Sequence, residues 1–114
     1  MSSLLGPVTD ADLRRWQRRR HNLLGELITF GEQHKLPPLT WTLGVHTLTG
    51  QPTNHPDVER RAVCEAWAEA LGIEVCKHSG DFGRVHLRAA TGDLWDRGVG
   101  VVVMTDLWED HPAE

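Results

Sequence analysis

The chain has 114 residues, 39% of them hydrophobic and 25% charged, which is the balance of one water-exposed globular domain with a single core. Its longest apolar runs fall far short of the roughly 20 residues that a membrane-spanning helix needs, so no membrane role is expected. Twelve Lys and Arg against 16 Asp and Glu give a formal charge of -4, but the charge is uneven. Between Ala11 and Lys35 six bases (Arg14, Arg15, Arg18, Arg19, Arg20, Lys35) face three acids, whereas Asp106 to Glu114 holds four acids and no base.

The opening MSSLLGPVTDADL lacks both the basic start and the apolar core of a signal peptide, and residues 1–8 read as a flexible arm. With only Cys64 and Cys76, a cytoplasmic protein with reduced thiols is the expectation. Residues 9–35 read as a long helix. Thr9-Asp10-Ala11-Asp12 supplies an N-cap with acids in the first turn, and Leu13, Trp16, Leu23, Leu27 and Phe30 recur at helical spacing. Arg20 interrupts that stripe, so the Arg14–Arg20 half is expected to project or lie on the surface while Leu23 to Phe30 docks on the core. Pro37 and Pro38 then forbid further helix.

Leu39 to Thr49 alternates as one half-buried strand, with Leu39, Trp41, Leu43 and Val45 on one face and Thr40, Thr42 and His46 on the other. Asn54 is the expected N-cap of a second helix. Val63, Ala66, Trp67, Ala70 and Leu71 form its stripe and Gly72 its stop. Ile73 to Ala89 reads as a hairpin with Ser79–Gly83 as its loop. That places His78 opposite Arg84, Cys76 opposite His86 and Glu74 opposite Arg88, with Val75, Val85 and Leu87 on the far, apolar face. Val99 to Leu107 is apolar on both faces, as suits an inner strand, and residues 109–114 form an acidic tail. The predicted fold is α+β in two layers, in the order αβαβββ: a four-stranded, mostly antiparallel sheet with both helices on one face, forming a single domain over 1–114.

The runs LPPLTWTLG, EAWAEALG, VHLRA and VVVMTDLWED, spread over residues 36 to 110, resemble small uncharacterised proteins of GC-rich actinobacteria that are often encoded near phage- or plasmid-derived elements. The resemblance implies a cytoplasmic origin and carries no function with it.

Three groups of residues could carry chemistry. Arg14, Arg15, Arg18, Arg19 and Arg20, beside Trp16, have the guanidinium density that neutralises phosphates, which makes a nucleic-acid or partner contact the natural reading. Thr40, Thr42, His46, Arg84, His86 and Arg88 would share the polar face of the sheet and could receive an anionic ligand or an acidic partner. Cys76, His78 and His86 offer thiolate and imidazole ligands for zinc, one short of a structural set of four. Asp81-Phe82-Gly83 spells a tripeptide found in kinases, but here it stands as a turn. Nucleophile elbow, phosphate loop and HExxH are all missing from the sequence. The expectation is therefore a non-enzymatic accessory protein without a cofactor. It binds another macromolecule, foremost a protein or a second copy of itself through the Leu13–Phe30 helix. A nucleic-acid-binding regulator is the alternative, and a metal- or ligand-binding domain the third.

Overall fold

The computed structural model describes residues 7–108, so the expectations for 1–6 and for the acidic tail 109–114 lie outside the described residues. Helix α1 spans Asp10–Gln33 and α2 spans Asp57–Leu71. The strands are β1 Thr40–Leu43, β2 Thr47–Gln51, β3 Val75–Ser79, β4 Arg84–Thr91 and β5 Gly100–Trp108. They form one five-stranded sheet in the order β1-β2-β5-β4-β3. The β2–β5 pair is parallel and the other three pairs are antiparallel.

The sheet is thus mixed and five-stranded, where the sequence suggested four strands, and the order is αββαβββ. The extra strand comes from Leu39–Thr49, which folds back on itself at Val45-His46: Gly44 N donates to Thr47 O at 2.8 Å and Leu43 stands opposite Leu48. The inner position expected of the last strand holds, since β5 lies between β2 and β4.

Helix α1 starts where its capping chemistry sits. Asp12 N donates to Thr9 Oγ1 at 3.1 Å and Thr9 N donates to Asp12 Oδ2 at 3.2 Å, a reciprocal capping box. The Thr9 amide, and then the Arg15 guanidinium, hold the Asp12 carboxyl below its usual range. This support is present above the carboxyl's ordinary pKa and is lost as pH falls through the lowered one. Helix α2 begins after Pro56, which has no side-chain cap, so Asn54 is not the N-cap. Its end is as expected: Gly72 adopts φ 74°, the left-handed geometry that costs other residues most.

Both helices pack on one face of the sheet. Leu23 and Leu27 of α1 and Val63, Cys64 and Trp67 of α2 join Leu48, Val85, Leu87, Val101, Val103 and Leu107 in a single core. Trp67 is its largest side chain, donating its indole N–H to Pro37 O at 2.6 Å while its ring meets Trp41 edge-on at 5.8 Å between centroids. Cys64 is buried and its Sγ lies 3.9 Å from Val103 O; burial, with Glu65 adding to it, pushes the thiol up to about 11. Cys76, by contrast, is exposed on β3. A thiol reagent at neutral pH is therefore expected to modify Cys76 rapidly and Cys64 only after denaturation, read by mass spectrometry before and after guanidinium.

Candidate functional site: the open face of the sheet

Strand alternation divides the sheet cleanly. Leu48, Val85, Leu87, Val101, Val103 and Leu107 point to the helices, and their neighbours Thr42, Thr49, Val102, Ala90, Arg88, Met104, His86, Asp106, Arg84 and Trp108 point the other way. Among the described residues no element packs on this second face.

The residues at its β3–β4–β5 end form three rows. In the first, Arg84 lies opposite Trp108 and its guanidinium stands 5.7 Å from the indole centroid, a cation–π contact. Arg84 also reaches Asp106 Oδ2 at 3.3 Å. The second row runs His78, His86, Asp106, with His86 Nδ1 hydrogen-bonded to Asp106 Oδ1. The third is Cys76, Arg88, Met104. Arg88 is exposed and its side chain has no partner among the described residues, so the middle of the face carries a guanidinium free to meet an anion.

The hairpin that builds this end keeps the predicted faces but not the predicted partners. Cys76 lies opposite Arg88, and His78 opposite His86, where the sequence paired Cys76 with His86 and His78 with Arg84. The loop is two residues tighter, closed by Gly80 N donating to Arg84 O at 2.7 Å. A shift of partners by two residues preserves which side each chain atom faces, so Val85 and Leu87 remain on the core side. At the tip, Phe82 is 90% exposed and holds φ 59°, a strained position for a side chain of its size.

Of the predicted polar-face residues, Thr40, Thr42, Arg84, His86 and Arg88 do share the open face. They are not one site: β1 and β4 are three strand spacings apart, about 14 Å. His46 does not belong. It sits in the β1–β2 turn, its ring edge-on to Trp16 on α1 at 4.8 Å. Cys76, His78 and His86 do not gather into a ligand set, and among the described residues no group of three His, Cys, Asp or Glu is placed to hold a metal ion.

The arginine cluster also divides. Arg14 and Arg18 flank a depression of about 260 Å³ with Gln17 and His21, and Arg19 is exposed. Arg15 is tied to Asp12, and Arg20 is turned inward and buried, contrary to the expectation that the whole half-helix projects. Of the apolar stripe read as a dimer seam, Leu23 and Leu27 are fully buried in the core, Trp16 and Phe30 are partly covered, and Leu13 is 45% exposed.

Two residues of this surface carry no site prediction from the sequence: Trp108, which follows the expected strand end at Leu107, and Met104, inside the run that reads as apolar on both faces. Their even spacing with Asp106 on a strand whose odd positions are all core residues was the available signal. Among the described residues no helix is long and apolar enough to cross a membrane. Compared with protein-family models, with curated proteins and with solved structures, the chain matches none of them.

Proposed function

We propose that the protein is a non-enzymatic binding module, acting in the cytoplasm, whose open sheet face docks a protein partner carrying an acidic and apolar segment. The observation that carries this reading is the composition of the face. Trp108, half exposed, and Met104 supply apolar anchor area, and Arg84, Arg88, His78 and His86 outnumber Asp106 in the surrounding rows. Phe82 adds a second exposed aromatic at the same end of the sheet, held in the left-handed backbone region.

The test uses a short synthetic peptide of alternating glutamate and phenylalanine, titrated into the isotopically labelled full chain by NMR. Shifts are expected at Phe82, Arg84, His86, Arg88, Met104 and Trp108, weakening with added salt and abolished by Arg88→Glu. Phe82→Gly is expected to raise stability by about 1 kcal/mol, by relieving the left-handed strain, while weakening the peptide. Equal binding of the lysine counterpart, or shifts confined to α1, overturns the reading.

A nucleic-acid reading keeps one specific support, Arg14 and Arg18, which have no ion-pair partner among the described residues, with His21 on one exposed face of α1. Retention on mixed-sequence RNA or DNA at low salt, lost in Arg14→Glu/Arg18→Glu, favours it; no retention at low salt removes it.

A further inference from the structure

We propose that Arg20 floors a second binding site, on the helix side of the molecule, for a carboxylate carried on a small apolar group. Arg20 is only 8% exposed, and no carboxylate among the described residues pairs with it. Among the described residues its one hydrogen bond runs from Nη1 to the carbonyl of Val45, and its Nε, sealed from solvent, has no partner. A buried guanidinium with neither a counter-ion nor a full set of acceptors is costly to keep, and folded proteins pair such charges. With Nη1 engaged and Nε sealed, Nη2 is the nitrogen left to reach a ligand, and a carboxylate accepting from it in a charge-assisted hydrogen bond supplies the missing counter-ion.

The surroundings say what the carboxylate should be attached to. Arg20 lines a groove of about 300 Å³ between the N-terminal half of α1 and the β1–β2 turn, walled by Leu13, Trp16, Leu43 and Val45. Leu13 and Leu43 are each 45% exposed and Val45 61%, an apolar rim around a single buried positive charge. A doubly charged phosphate would bring a surplus negative charge against those walls, whereas a monoanionic carboxylate with a hydrocarbon tail satisfies both the charge and the rim. Arg20 also lines, with Arg19, His46 and Val99, a cavity of about 10 Å³, at the lower limit for one water molecule. A water there could accept from Nε but would leave the charge unpaired. Two sources share the chemistry, a free aliphatic acid and the C-terminus of a polypeptide ending in an apolar residue.

The test is an NMR titration of the full chain, following the Arg20 Nε–H, the Trp16 indole and the amides of residues 43–45. The probes are hexanoate, 1-hexanol, inorganic phosphate, and a short peptide ending in leucine as its free acid and as its amide. Hexanoate is expected to bind at least about tenfold more tightly than 1-hexanol, and phosphate more weakly than hexanoate. Arg20→Met should bring hexanoate down to the level of 1-hexanol. Leu13→Glu, two turns before Arg20 on the same face, places a carboxylate at the rim; it removes the same apolar contact from both probes but repels only the anion, so it should weaken hexanoate several-fold more than 1-hexanol, with no dependence on how Arg20→Met folds. Tighter binding of the peptide acid than of both its amide and hexanoate assigns the site to a chain terminus, and the reverse order assigns it to a free acid. Hexanoate no tighter than 1-hexanol, phosphate as tight as hexanoate, or hexanoate weakened no more than 1-hexanol by Leu13→Glu overturns the proposal.

Discussion

Trp67→Ala is expected to destabilise the protein by about 3–5 kcal/mol, a large share of the roughly 5–15 kcal/mol that holds a domain together. Trp67 is 2% exposed, touches the aromatic rings of Phe30 and Trp41, and ties α2 to the Pro37 carbonyl through its indole N–H. Truncation therefore leaves a cavity between both helices and the sheet and strands a carbonyl acceptor. In a urea or guanidinium titration the midpoint should fall steeply with little change in slope. A loss below about 1 kcal/mol would mean that the two helices do not meet around this ring.

The second large effect is one of sign. Glycine inside a helix costs about 1 kcal/mol relative to alanine, so Gly31→Ala taken from α1 alone should stabilise. The structure predicts the opposite. A Cβ on Gly31 would stand 2.9 Å from two ring carbons of Trp67, a ring held by core packing and by its bond to Pro37, so the two helices must part or the ring must move. Gly31→Ala should cost about 1–3 kcal/mol in the parent chain and become neutral or stabilising in a Trp67→Leu background. The double-mutant cycle, measured by chemical denaturation, isolates this contact. Additive effects in the cycle would show that Gly31 and Trp67 do not touch.

Much of this arrangement was legible in the sequence, and the misses share a cause. The two helices, the Gly72 stop, the inner last strand and the division of the hairpin into two faces follow from local periodicity and turn chemistry, which the fold obeys. Alternation reports which side a residue faces and is silent on where the strand bends. Leu39–Thr49 therefore reads as one strand, although Val45-His46 reverses it and brings Thr42 and Thr49, which unbroken alternation would put on opposite faces, onto the same one. The parallel pairing of β2 with β5 joins segments about fifty residues apart and leaves no local trace. The register of the hairpin is set by a turn two residues shorter than its Gly content suggests.

Arg20 is the instructive case for the candidate sites. It occupies the position between Trp16 and Leu23 that the three-and-four spacing assigns to the core, and its charge argued for the surface. Position prevailed over residue type, which is why a buried, unpaired guanidinium was there to be found. The basic cluster is accordingly smaller than its sequence suggests, since one arginine is buried and another is tied to Asp12. The positive charge that remains available is shared between α1 and the open sheet face.

The central claim is that one face of the sheet is spent on the core while the other is open to receive a partner. Solvent relaxation enhancement, with a soluble gadolinium chelate added to methyl-labelled full-length protein, tests it directly. The account predicts strong broadening of the Met104, Val102 and Ala90 methyls and protection of Leu48, Val101 and Val103, with the broadening at Met104 relieved when the glutamate–phenylalanine peptide is present. Met104 as protected as Val103 in the free protein would contradict it, because the face assigned to binding would then already be covered.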